Sequence, residues 1–361
     1  MSAPRLVDWD LAVATACRLV PPGPAIGYAA AEAVVVDLRA AAVEAEEHVS
    51  ALTSLTGDPT AGPVVVVDRP DWIRSNITGF RLVVDPLAEQ LLSARGVSAS
   101  AAVTAIGSRV AAVQVGALLS YLATRVLGQY EVFLPPGQGS GRLSLVAPNI
   151  VETERRLGVD PRDFRRWVAL HEVTHRTQFT AVPWLREHVL SEISAFLLAS
   201  DLDPAALAAR LRDALVVVAD AARHRGERSL IEIVQTPEQR VILDRLTGFM
   251  SLVEGHAEYV MDEVGERLVR SVPELRRRFE DRRATANPLE RMVRRLFGID
   301  LKLKQYAEGA AFVRAVVSQV GMAGFNRIWA SARTLPTGAE IRDPAAWLRR
   351  VPGVGSAIES A

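Results

Sequence analysis

The sequence predicts a mainly α-helical fold with one small β-hairpin. Three observations carry this expectation. Stretches rich in Ala, Val and Leu, with charges at helical spacing, recur from Ala25 to Gly321. Only one region, Gln129 to Val146, holds two short β-rich runs, and a Pro/Gly-rich loop joins them. Proline repeatedly stands where a helix would begin, at Pro161, Pro204, Pro237, Pro273 and Pro288.

Taken in order, Ala25 to Val49 reads as an amphipathic helix carrying Asp37, Arg39, Glu44, Glu46 and Glu47. Gly57 to Pro63 is a loop by its breakers. Asp68 to Arg95 reads as helix in two pieces, parted near Ser75 to Gly79, and a long apolar helix follows, ending near Leu127-Gly128. Gln129 to Leu134 and Arg142 to Val146 are the hairpin strands, with Pro148 and the turn at Gly158 to Pro161 closing that region. Asp160 is a good N-cap and Pro161 a good first residue for a helix reaching about Phe179. Further helices are expected at Arg186–Leu202, Pro204–Arg223, Pro237–Val264, Pro273–Arg283, Pro288–Leu296 and Leu301–Gly321. The expected organisation is a helical region over residues 1–95 packed on a catalytic region over 96–361, the two forming one compact unit.

Composition narrows the chemistry. The chain has 361 residues, 42 basic and 42 acidic side chains, six histidines and a single cysteine, Cys17. One cysteine excludes an internal disulfide framework, a Cys-rich zinc finger and a CxxC redox site. Zero net charge argues against a nucleic-acid binder, and the arginine-rich stretch Gly265 to Gly298 reads as solvated helix. The longest uncharged run, Val110 to Thr124, is 15 residues, short of the roughly 20 that a membrane span needs. Arg5, Asp8, Asp10 and Arg18 interrupt any leader-like apolar stretch, so the expected compartment is the cytoplasm. Any metal site must draw on histidines and carboxylates.

His171-Glu172-Val173-Thr174-His175 reads HExxH inside the helix that begins at Asp160. Residues four apart share a helical face, so both imidazoles can reach one Zn²⁺. Glu172 is placed to take a proton from a water at that metal. A catalytic zinc needs a third protein ligand, a histidine or a carboxylate from another helix, and one open position. The metzincin continuation is absent, since Gln178 and Ala181 stand at its Gly and His positions. The better candidate lies 79 positions after His175, where Glu254, Glu258 and Asp262 form an acidic stripe on one face of a partly apolar helix. Three acids there are costly unless positive charge faces them. His256 points about 200° away from Glu254 and cannot easily join the same metal. His188 is expected at an exposed helix position.

HEVTH followed at a distance by EGHAE (Glu254 to Glu258) resembles the gluzincin metallopeptidases, in which HExxH pairs with a glutamate on a later helix. The resemblance implies Glu254 as third ligand and Glu258 as a neighbouring acid that hydrogen-bonds a ligand histidine. The wide separation of the two motifs departs from that pattern. More specifically, the chain resembles an actinobacterial family of zinc-dependent metalloproteases whose naming associates it with coenzyme F420 biosynthesis. The likeness is clearest at His171–Phe179, Leu252–Gly265 and Leu303–Trp329. It implies a zincin-like helical metallohydrolase with Zn²⁺ as cofactor and a peptide or small amide as substrate. It also implies Tyr306, 52 residues after Glu254, as a stabiliser of the oxyanion. By the same likeness the hairpin strand before HExxH would bind peptide by strand addition. The expected function is a zinc-dependent metallopeptidase with Glu172 as general base. The alternatives are a metal-dependent hydrolase of a small amide or cofactor precursor, and a helical binding protein with a structural zinc.

Overall fold

The structure, a computed structural model, describes residues 6–58, 61–95, 101–135, 139, 141–199, 236–269, 271, 274, 277–278 and 299–351. The helices expected at 204–223, 273–283 and 288–296 lie wholly or largely outside these residues. The described part is mostly helical. The chain folds as two compact units, residues 1–183 with 260–279, and residues 184–259 with 280–361. In the first unit the N-terminal helices share an apolar core with Val146.

In the first unit, α1 (Trp9–Leu19) is capped by Asp8, whose carboxylate accepts from the Leu11 amide at 3.1 Å. It packs on α4 (Ala101–Leu122), with Trp9, Ala12 and Ala16 buried against Ala112 and Leu119. Between them in sequence come α2 (Tyr28–Thr53), strand β1 (Val65–Val67) and α3 (Arg69–Arg95). The two pieces expected over 68–95 are one helix. Ser75 to Gly79 continues it, and Pro86 is accommodated within it.

Strands β2 (Gly128–Glu131) and β3 (Arg142–Val146) form the expected antiparallel hairpin, with Gly128 opposite Leu145 and Glu131 opposite Arg142. β1 adds a third strand, parallel to β3, giving the order β1-β3-β2. Glu131 is buried and takes hydrogen bonds from Ser75, Ser144 and Arg142, so its charge is paired. Then follow α5 (Ala147–Leu157) and α6 (Pro161–Ala181). Pro148 opens α5 rather than ending the region, since proline costs nothing in a helix's first turn.

One buried amide ties several segments of this unit together. Asn149 Nδ2 donates to the carbonyls of Ala123 (2.7 Å) and Val126 (2.6 Å), just past the end of α4. Asn149 Oδ1 accepts from Arg69 Nε at 2.7 Å, and Arg69 Nη1 reaches the carbonyls of Pro21 and Pro22.

The second unit is built from α7 (Trp184–Leu198), most of α8 (Pro237–Leu268) and α9 (Ile299–Phe325), followed by two short 3₁₀ turns, α10 (Gly338–Arg342) and α11 (Pro344–Arg350). The residues after Pro336 are thus folded as far as Val351, with Trp347 fully buried against Phe312 of α9. α8 and α9 meet backbone to backbone at Gly255 and Gly309. A methyl on Gly309 would stand 1.9 Å from the Ser251 carbonyl oxygen, and one on Gly255 would stand 2.2 Å from the Gly309 carbonyl carbon. α8 is one unbroken helix, and its last turns from Val260 onward belong to the first unit.

Candidate metal centre

The motif helix α6 starts as its sequence demands. Asp160 caps it, accepting from the amides of Arg162 (2.9 Å) and Asp163 (3.0 Å), with Pro161 as the first helical residue. Arg165 fixes its inner side through a forked pair with the buried Glu154 of α5 and a 2.8 Å contact to Asp37 of α2. Arg166 and Arg176 pair with Glu44 and Glu46 of α2. The apolar side buries Ala169, Leu170 and Val173 against Ala41, Ala42 and Ala45, small residues that let α2 approach closely.

His171 and His175 come one above the other, as i and i+4 spacing requires. Their rings are nearly perpendicular at 87°, with centroids 4.6 Å apart, and the two Nε2 atoms face each other at 3.1 Å. Each Nδ1 is turned to another group. His175 Nδ1 lies 3.0 Å from the side-chain oxygen of Gln178, which is fully buried. His171 Nδ1 lies 3.3 Å from Met261 Sδ. Both partners can accept a hydrogen bond, an arrangement that suits rings protonated at Nδ1 with the Nε2 lone pairs free to ligate. The group facing His175 Nδ1 is thus an amide and the one facing His171 Nδ1 a thioether, both uncharged.

Glu172, 8% exposed, is on the sheet side of α6. The backbone of Gly128, the first residue of β2, lies directly on it. A methyl at Gly128 would stand 2.6 Å from Glu172 Cγ and 2.7 Å from Cδ. Only glycine leaves room there for the carboxyl group. Two residues on, Tyr130 stacks on Phe179 of α6 with centroids 5.9 Å apart, holding strand to helix. By sequence alone Gly128 reads as the end of an apolar helix. Nothing local marks it, because its role comes from a side chain 44 positions later.

On α8, Met261 is buried with Val260 and Val264 among the residues that cover α6. Glu254 is two turns earlier on the same unbroken helix, hence on the same face as Met261. Among the described residues, His171, His175 and Glu254 are the one group of three that could hold a metal ion. Each is half-buried and offers one ligand atom, and these atoms lie within 4.8 Å of one another.

The donor set suits zinc. Zinc–nitrogen bonds of about 2.0–2.1 Å at a tetrahedral angle place two imidazole nitrogens about 3.3 Å apart, close to the separation seen here. Two lone pairs brought face to face repel unless a cation lies between them, and a carboxylate adds the charge that a dication needs.

The other sequence candidates separate cleanly. His256 is fully buried, stacked on Phe325 (5.3 Å) and edge-on to Trp329 (5.6 Å), so it is a core residue of the second unit. His188 is half-buried between Trp184 and Phe249 rather than exposed, and burial lowers its pKa. Tyr306 lies in α9, but its side chain is outside the described residues. No helix among the described residues is long and apolar enough to cross a membrane.

Residues 7–348 match the model of a family described as zincin-like metallopeptidase. A protein from Chloroflexus aurantiacus, whose crystal structure is described as that of a candidate hydrolase with a novel fold, is 31% identical to this chain. The match covers 96% of this chain and 98% of that one, with a TM-score of 0.67. No curated protein matches the sequence. Neither finding bears on coenzyme F420 or on the actinobacteria. The chain belongs to the zincin-like metallopeptidase family.

Proposed function

We propose that the protein is a zinc-dependent hydrolase that cleaves an amide bond, most simply in a peptide. The observation that carries this reading is the grouping of His171, His175 and Glu254, with Glu172 one residue from the first ligand. His171 and His175 would hold the metal through Nε2 and Glu254 through a carboxylate oxygen. Zinc held there would supply Lewis acidity, making a water more acidic and a substrate carbonyl more electrophilic.

The chain's own groups do the rest. Glu172 takes the proton of the attacking water and passes it to the leaving nitrogen. Gly128 keeps the Glu172 carboxyl in place, and the partial burial of that carboxyl limits competing water. β2 is an edge strand of the sheet and begins beside Glu172, which supports binding of an extended peptide by strand addition. Tyr306 is assigned to the developing oxyanion on the family resemblance alone.

The test has two arms. Elemental analysis should find about one zinc per chain in the wild type and none in His171→Ala. Glu172→Gln should keep the zinc and lose about 10²–10⁴-fold in hydrolysis of a mixed peptide library. A wild type that binds no zinc, or a Glu172→Gln variant as active as the wild type, would overturn the reading.

A further inference from the structure

Metal-binding histidines ordinarily present Nδ1–H to a carboxylate, a carbonyl or water, and that partner fixes the ring and raises its basicity. His175 follows this habit through the Gln178 carbonyl oxygen, at 3.0 Å. His171 does not. Its Nδ1 meets the thioether of Met261 at 3.3 Å. Met261 is only 4% exposed and is held among Ala169, Leu170, Val173, Val260 and Val264, so the sulfur has little freedom to leave. A thioether is a weak acceptor.

We propose that Met261 is a positioning residue for the metal centre. Its sulfur accepts the Nδ1–H of His171, holds that ring in the tautomer whose Nε2 is free to ligate, and sets a looser grip on the metal than an oxygen acceptor would. The two ligand histidines are therefore unequal. His175 is held by a full hydrogen bond and His171 by a soft one, so His171 is the ligand released first when the metal leaves. This rests on the reading of His171 and His175 as ligands.

The experiment compares the wild type with Met261→Leu and Met261→Gln, both close to methionine in volume. The readouts are zinc transfer to a competing chelator and the visible spectrum of the Co²⁺-loaded protein. Met261→Leu keeps the packing and loses the acceptor, so its zinc affinity should fall about tenfold, the low end of such effects. Met261→Gln supplies an amide oxygen and should bind zinc about tenfold more tightly than the wild type, with the Co²⁺ bands shifted. The order Gln, Met, Leu is the signature, since a purely packing role would weaken both variants alike. Equal affinity and identical Co²⁺ spectra in wild type and Met261→Leu would overturn the proposal while leaving the metal site intact. Should one variant fail to fold, the other still decides, because each is predicted to move in its own direction. A wild type that takes up neither zinc nor Co²⁺ would instead sink the ligand assignment itself.

Discussion

The two units each contain a place where a missing side chain brings groups into direct contact, and the two places differ in what they touch. In the first unit, Gly128 lies on the carboxylate end of Glu172, a side chain that can swing aside. In the second, Gly309 lies on the carbonyl of Ser251, which is helix backbone and cannot. Close approach serves chemistry in the one case and architecture in the other. Adding a methyl should therefore separate the two cleanly.

The largest effect is expected at the helix crossing. In an ordinary exposed helix, Gly→Ala gains about 1 kcal/mol. At Gly309 the added carbon would stand 1.9 Å from a backbone oxygen, so α8 and α9 must part, and Gly309→Ala should instead cost about 3 kcal/mol. Urea unfolding measures it, and a neutral or stabilising result would break the contrast. Gly128→Ala should leave stability and zinc content nearly unchanged. It should lower kcat about 10²-fold by pushing the Glu172 carboxyl out of position, which zinc analysis and a peptide-cleavage assay read together. Equal losses of stability at both glycines would show that both are architectural.

The smallest effect is a pH dependence expected in the second unit. Burial lowers the His188 pKa from the ordinary 6.5; Glu192 opposes this and Arg245 adds to it. The folded state therefore prefers neutral His188, and the unfolded chain takes up a proton first as pH falls. Stability should be intact above pH 6.5 and decline as the pH drops through that value. His188→Gln should flatten the slope of Tm against pH below about 6.5, and an unchanged slope would remove His188 from the account.

The sequence was most legible where several local signals coincide. At α6 the Asp160 cap, Pro161 and the HExxH spacing all agree, and helix, cap and histidine pair appear as expected. β3 kept its expected bounds at Arg142–Val146. What could not be read was decided by tertiary contacts. β1 is three valines, too short to show a period, and it exists by pairing with β3. α3 runs straight through Ser75–Gly79, where Ser75 reaches Glu131 and Gly79 meets the Phe133 backbone. α1 drew no expectation because its apolar face is short and alanine-rich, yet it packs tightly on α4. The same holds within the site. The histidine pair follows from spacing, whereas Gly128, Gln178 and Met261 are known only from what they touch.

The Asn149 amide has an implication for how this fold tolerates changes of chain length. Its Nδ2 reads two carbonyls only three residues apart, at Ala123 and Val126, immediately before Gly128. An insertion or deletion in that turn would leave one of those carbonyls, or Arg69 Nε, without its partner in a dry interior. The turn therefore acts as a ruler: it counts residues between the end of α4 and the glycine that lies over Glu172. Natural variation in length should avoid this turn even where neighbouring loops drift freely.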